Sequence, residues 1–360
     1  MISPRNHFLF TPLLPSTAVG TLEFHCIQEP VRTIKNLTYY QASCEDVNFN
    51  KKTLHCVDAF NPQSQFDVDY DILIMAAGCE TNTFGCPGVY DNKHVFFLKQ
   101  LEHSRAIRNR LIECFERASS PGVTLEERKR LLTCVIVGGG PTSVEFAAEV
   151  YDFLTEDVSR WYPELLPDIN VKLIEAGNHI LGTFHSSLVE YTEKLFTSRS
   201  IEVISNVSVK EIKSNVAELS TGEVLPFGLM VWSTGIKPVS IINNIDEDGD
   251  GAVGRLLVDD NLQLLAANHN NNVNSSNSGS DPNTIPTPDL VPITSSTALN
   301  TIPNNSIVFA LGDCATHQHK QLPPLAQVAQ QQGAYLAKLL NGFDTHVDQS
   351  HIHNDIDISE

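Results

Sequence analysis

Positive charge is scarce in this chain. Its 360 residues carry 24 Lys and Arg against 43 Asp and Glu, a formal net charge of −19. Such a molecule repels phosphate backbones and anionic headgroups, so nucleic-acid binding and purely electrostatic membrane attachment are disfavoured. Long apolar runs are also missing. The longest, Ile72 to Ala77, falls well short of the ~18 residues of a spanning helix and fits a buried strand. The eight cysteines show no C-x-x-C pair and no metal-ligand spacing, so they read as scattered reduced thiols and not as a disulfide framework. Residues Met1 to Asn6 contain neither an apolar stretch nor an Arg-rich amphipathic one, and no targeting peptide is visible. What is present, 41% hydrophobic and 19% charged residues, is the composition of a globular protein with about two domains.

Residues 1–36 are rich in Pro and aromatics without a clear period. Short β-type runs follow at about Thr38–Ser43, Val47–Phe49, Thr53–Val57 and Gln65–Val68, then the apolar strand Asp71–Ala77. Helical spacing covers Leu98 to Ala118. From Leu131 the pattern is βαβ: strand Thr133–Val137, a glycine turn, a helix from Pro141 to about Thr155, and strand Val171–Glu175. A helix near Leu188–Arg199, strand Glu202–Ile204, a hairpin-like pair (Val207–Ser214, Ala217–Leu219) and strand Leu229–Ser233 follow, which implies a parallel sheet covered on both faces. Residues 268–284 hold seven Asn and four Ser, too polar for a core, so 268–305 is expected to be a disordered insertion. Strands near Leu256–Val258 and Ile307–Leu311 flank it, and a last helix spans about Leu325–Leu340.

The strongest motif is Gly138-Gly139-Gly140-Pro141-Thr142-Ser143, a G-x-G-x-x-S between strand and helix. Gly138 permits the tight turn, Gly140 lets a pyrophosphate approach the backbone, and small Ser143 lets helix and strand pack closely. Glu175, ending the next strand, suits the two ribose hydroxyls of NADH and repels a 2′-phosphate, which favours NADH over NADPH. Its distance from Gly138 exceeds the usual ~20 residues and implies an insertion around Trp161–Pro163. The strand ending in Gly312-Asp313 offers a carboxylate that can accept hydrogen bonds from a polyol such as a flavin's ribityl chain, although strand-end Gly-Asp is often only a turn. Two further apolar strands end in glycine, at Gly78 and Gly235. Asp246 to Gly251 imitates the start of a calcium loop, but the twelfth position is Leu257 in place of the bidentate Glu, so a metal site is rejected.

Together, Met1–Pro15, the Gly138–Glu149 turn and helix, Phe309–Ala315 and Pro324–Gln331 resemble the type II, non-proton-pumping NADH:quinone oxidoreductases, of the two-dinucleotide-domain flavoproteins. The resemblance implies an α/β fold of two Rossmann-like domains, with electrons passing from NADH to FAD to a ubiquinone-type quinone. It places an FAD domain in residues 1–97 and 241–342, a helical connection at 98–130, the NADH domain at 131–240, and a polar tail at 343–360. It further implies mitochondrial location, peripheral on the inner membrane, and is compatible with a homodimer.

By the same resemblance, Arg5, Asn6, Thr11, Pro12, Gly78, Gly312 and Asp313 hold FAD, and Gly138, Gly140, Ser143, Glu175 and Gly235 hold NADH. Ala326 brings the last helix's N-terminus to the flavin carbonyls, while Gln327 and Gln331, four apart, border the quinone pocket. Glu145, on the first turn of the glycine-motif helix, either relays protons near the nicotinamide or merely favours the helix dipole. The family opens with a strand, a first G-x-G-x-x-G and a helix, and ends in a membrane-docking segment. Neither is found in the sequence, so the chain is expected to be a shortened form whose FAD domain lacks its first βαβ unit. Competing expectations are a flavin-free NADH-binding fragment or another flavoprotein reductase, although a disulfide reductase would need paired redox cysteines.

Overall fold

The structure, a computed structural model, describes residues 1–245, 254–266, 291–292, 307–317 and 319–343. The calcium-like Asp246–Gly251, most of the Asn/Ser-rich 268–305 stretch and nearly all of the 343–360 tail lie outside the described residues. Packing divides the chain into two compact units. One comprises 3–41 and 80–237, and the other 42–79 and the described residues from Pro238 on. The division differs from the expected domain boundaries: residues 3–41 and 80–97, expected in the FAD domain, group with the central unit, as does the 98–130 connection, and 238–240 groups with the other.

In the first unit five parallel strands, β1 (Val95–Phe97), β2 (Thr133–Val137), β3 (Asn170–Glu175), β4 (Ile201–Ser205) and β5 (Leu229–Trp232), lie in the order β4-β3-β2-β5-β1. Every residue of β2 and β5 is buried, as expected for parallel strands covered on both faces. Alternate residues serve different cores. Cys134, Ile136, Leu229 and Val231 join a helical core, whereas Val135, Val137, Met230 and Trp232 face the other way. That second face is covered by a three-stranded antiparallel sheet, Val209–Lys213, Val216–Leu219 and Val224–Pro226, in place of helices.

The helical face is built from α1 (Leu14–Val19), α2 (Leu101–Ala118), α3 (Pro141–Phe153) and α4 (Ser186–Ser198). Helix α1 explains why the N-terminal segment belongs here. Leu14, Ala18 and Val19 are buried in the core shared with α2 and α3, the Ser104 hydroxyl donates to the Leu14 carbonyl at 3.2 Å, and Arg108 donates to the Val19 carbonyl. The extra length between the glycine turn and Glu175 is likewise packed. Helix α3 runs on through a widened turn at Leu154–Val158, Tyr162 stacks on Phe115 with ring centroids 5.6 Å apart, and Leu165 is fully buried.

The second unit begins with an antiparallel meander, Ala42–Asn48, Thr53–Asp58 and Gln65–Asp69. Its first strand joins what the sequence pattern split at Thr38–Ser43 and Val47–Phe49. A register shift between Cys44 and Asp46 breaks the period-two alternation there. Ile72–Met75 pairs in parallel with Ile307–Ala310, and Leu256–Val258 with Ala315–His317. Leu73, Met75, Val308 and Phe309 enter a core that also contains Leu336 of α5 (Ala326–Phe343), while Ile72, Ile74 and Ile307 point outward and are exposed. The eight cysteines are free thiols.

Candidate functional site

In the first unit the strand order reverses between β2 and β5, and the carboxyl ends of strands at such a switch point are the place where open α/β sheets take ligands. The sequence motif lands there. Gly138 has φ +113°, and a Cβ on it would lie 2.7 Å from the Thr234 Cβ, so only glycine allows the turn to pass this close to the end of β5. Ser143 is fully buried, and its Oγ lies 2.7 Å from Ser233 Oγ, tying the first turn of α3 to the same strand end. Gly140 is the N-cap of α3 and carries no capping side chain. A Cβ there would meet nothing within 4 Å, so the helix N-terminus keeps open space beside its uncapped N–H groups, as a phosphate requires.

Glu175, at the end of β3, accepts from the backbone N–H of Gly139 through Oε2 and from that of Gly177 through Oε1. The carboxylate therefore braces the glycine turn directly, while its remaining lone pairs are available to ribose hydroxyls. Gly235 completes this group with φ +68°, where an added Cβ would fall 2.5 Å from the Phe84 ring. Five expected nucleotide residues, Gly138, Gly140, Ser143, Glu175 and Gly235, thus sit at one edge of one sheet. Their donors, acceptors and open helix terminus fit a dinucleotide.

The expected flavin residues of the N-terminal segment are in the same unit. Arg5 donates to Gln100 Oε1 at 2.9 Å, and burial lowers its pKa. Asn6, Thr11 and Pro12 are exposed. Glu145 lies one residue beyond the first turn of α3, which holds no acid, a correction to the expectation that weakens the purely dipolar reading. Partial desolvation, with the Glu149 charge one turn along as a smaller cause, raises the Glu145 pKa above the ordinary carboxylate value. Glu149 itself accepts from the Ser16 hydroxyl at 2.7 Å.

In the second unit Gly312 has φ +74° and its N–H donates to Gln332 Oε1 at 2.8 Å. Asp313 Oδ2 accepts from the Cys79 thiol at 3.2 Å. The Leu311 N–H donates to the Met75 carbonyl at 3.0 Å, and the buried Cys314 thiol, its pKa raised mainly by burial, donates to the Leu311 carbonyl at 3.2 Å. The strand end is thus rigidly braced around a carboxylate, and Gly78, φ +72°, has open space where a Cβ would be. This donor and acceptor set fits a flavin's polyol chain. Ala326 opens α5, and Gln327 and Gln331 are exposed on it, whereas the glutamine that meets the Gly-Asp turn is Gln332. Among the described residues no cluster of His, Cys, Asp and Glu could hold a metal ion.

Residues not anticipated from the sequence are Ser233 and Thr234 against the glycine turn, Ser16 and Glu149 beside Glu145, and Cys79 and Gln332 around Gly312-Asp313. Only the first two carried a signal, being small residues at an apolar strand end.

The family described as Pyridine nucleotide-disulphide oxidoreductase matches residues 1–269. The chain is 40% identical over 348 residues to a "Probable NADH dehydrogenase" of Dictyostelium discoideum, covering 96% of this chain and 68% of that protein. It is 37% identical over 354 residues to "External NADH-ubiquinone oxidoreductase 2, mitochondrial" of Saccharomyces cerevisiae, covering 95% and 57%. The chain thus spans from 57% to 68% of the length of these two relatives. In three dimensions it is similar to NDH2 from Plasmodium falciparum in complex with NADH, with TM-score 0.81 and 25% identity over 99% of this chain and 80% of that one. The chain belongs to the pyridine nucleotide-disulphide oxidoreductase family and, within it, to the type II NADH dehydrogenases, the alternative NAD(P)H-ubiquinone oxidoreductases.

Proposed function

We propose that this chain is the catalytic part of an NADH:quinone oxidoreductase that works without proton pumping. The observation carrying the reading is the convergence of Gly138, Gly140, Ser143, Glu175 and Gly235 on the carboxyl ends of β2, β3 and β5, at the switch point of the sheet. Gly140 and the open end of α3 take the pyrophosphate of NADH, Glu175 orients its ribose, and Gly235 lines the nicotinamide half. Arg5, Asn6, Thr11, Pro12, Gly78, Gly312, Asp313 and Ala326 would hold FAD, with Asp313 accepting from the ribityl hydroxyls. Bound FAD would supply acceptance of hydride from NADH and delivery of two electrons to a quinone. Gln327 and Gln331 border the quinone, and Glu145, its proton affinity raised, is the residue that would relay a proton to reduced quinone.

Relatives such as that of Saccharomyces cerevisiae are named mitochondrial, which supports placing this chain there as a peripheral protein of the inner membrane, an arrangement compatible with a homodimer. No helix among the described residues is long and apolar enough to cross a membrane.

The test is to purify the chain, record its absorbance at about 450 nm, a band of the flavin that protein only tunes, and follow NADH oxidation with a soluble quinone. A yellow protein that turns over supports the reading. A colourless one that binds NADH without turnover reassigns it as an NADH-binding protein.

A further inference from the structure

At the opposite edge of the same sheet, where β1 and β5 begin, lies a cavity of about 440 Å³. Its position follows from strand polarity. His94 immediately precedes β1, Phe227 and Gly228 precede β5, and in a parallel sheet these starts lie at the end away from Gly138 and Glu175. The walls are built, not incidental. Gly88, φ +84°, passes so close to the antiparallel sheet that an added Cβ would lie 2.0 Å from the Ile212 carbonyl oxygen. The Ile212 N–H donates to the Pro87 carbonyl at 2.9 Å, and Asn92 donates to the Ser214 carbonyl.

Among the lining residues cations outnumber carboxylates in a strongly acidic protein: Lys93, Arg117 and Arg130 stand against Asp91, although Arg117 also lies 3.3 Å from Glu113 and 3.6 Å from Glu127 just outside the lining. Two arginines are held by the strand starts and by carboxylates. Arg110 donates to the Gly228 carbonyl at 2.9 Å and pairs with Glu113 at 2.7 Å. Arg130 donates to the Phe227 carbonyl at 2.8 Å and forks onto Glu127 at 2.6 and 2.7 Å. His94 also lines the cavity and is 8% exposed, yet its Nδ1 has no hydrogen-bond partner among the described residues. A buried imidazole nitrogen left unpaired costs free energy unless something supplies a partner. Burial, followed by Arg110 and Lys93, depresses the His94 pKa to about 4, so the ring is neutral near pH 7 and adds no charge to the wall.

We infer that this cavity binds a small phosphate monoester on a polyol body. Arginine and lysine supply the charge for a dianion. Asn215 and Ser214 supply hydrogen bonds for hydroxyls. No Phe, Tyr or Trp side chain lines the cavity among the described residues, so it lacks the large ring faces on which a nucleobase stacks best. A phosphorylated sugar is therefore preferred over a nucleotide. The volume lies within the range of about 300–1,000 Å³ of small-molecule sites and exceeds the needs of a lone inorganic phosphate.

Calorimetric titration of the full chain decides this, with ribose phosphate, ribose, inorganic phosphate and AMP as probes. Ribose phosphate is expected to bind saturably and at least about tenfold more tightly than ribose or inorganic phosphate. Combining Lys93→Glu with Arg117→Gln, both on exposed side chains, should weaken it by about tenfold or more while leaving NADH affinity unchanged. Binding that persists in this variant, absence of saturable binding, or tighter binding of AMP than of ribose phosphate would each overturn the assignment.

Discussion

Ser143 Oγ and Ser233 Oγ lie 2.7 Å apart, so one hydroxyl pair joins the first turn of the glycine-motif helix to the end of β5. Ser143 is fully buried, and its Oγ lies 3.2 Å from where a Gly138 Cβ would be. Ser143→Ala removes one partner of a buried hydrogen bond and should cost about 1 kcal/mol. Ser143→Val forces additional methyl groups against the turn and should cost more, on the order of 1–3 kcal/mol, and weaken NADH as the turn shifts. Denaturant unfolding and NADH titration check both effects. If Val were tolerated as well as Ala, the close approach of α3 to β5 would not matter for binding.

Glu175 has two tasks that mutation can separate. Its carboxylate holds the Gly139 and Gly177 N–H groups and faces the ribose in the proposed site. Glu175→Ala loses both charge-assisted bonds, worth about 1.5–3 kcal/mol each, so stability and NADH affinity should fall together. Glu175→Gln keeps an acceptor for one N–H and removes the negative charge. Its expected signature is a modest loss of NADH affinity with a gain in NADPH affinity, because a 2′-phosphate is no longer repelled. Parallel titration of both nucleotides reads the ratio, and an unchanged ratio argues against Glu175 as the selector.

How legible the molecule was depends on which interactions are local. Thr133–Val137 and Leu256–Val258 have the expected bounds because an apolar run between turn residues encodes a buried strand by itself. The glycine turn was readable for the same reason, since strand, turn and helix are contiguous. Helix α1 was not, because its burial depends on α2 and α3, more than eighty residues away, and its proline, Pro15, and short length conceal the period. The strand Ala42–Asn48 was split in the sequence pattern by its register shift. Nor could spacing along α5 show that Gln332, and not Gln331, reaches the Gly312 N–H, since that choice is set by how the helix packs.

Glu145 supplies a pH test. Its folded pKa is raised by partial desolvation and by Glu149, so the folded state binds the proton more tightly than the unfolded chain. Between the ordinary value, roughly 4.3, and the raised folded value, stability therefore falls as pH rises. Glu145→Gln removes that slope, so its melting temperature should gain relative to the parent as pH rises through this window. Glu149→Gln, which removes the second cause, should reduce the slope without abolishing it. If Glu145 also holds a proton for quinone reduction, Glu145→Gln lowers kcat with quinone and leaves NADH affinity intact, a split that a purely structural carboxylate would not produce.

His94 has the opposite sign. Burial and the neighbouring Arg110, Lys93 and Arg130, opposed by Glu113, push its pKa down to about 4, below the ordinary ~6.5 of the unfolded chain. The unfolded state binds more protons across that window, so the stability carried by the neutral ring is complete above about pH 6.5 and is lost as pH falls toward 4. At most a few kcal/mol are at stake, since each pKa unit is worth about 1.4 kcal/mol. His94→Gln keeps a polar side chain that does not titrate, and should flatten the loss of stability between about pH 6.5 and 4. Unfolding midpoints of parent and variant across that range check it, and parallel profiles would show that the acid sensitivity arises elsewhere.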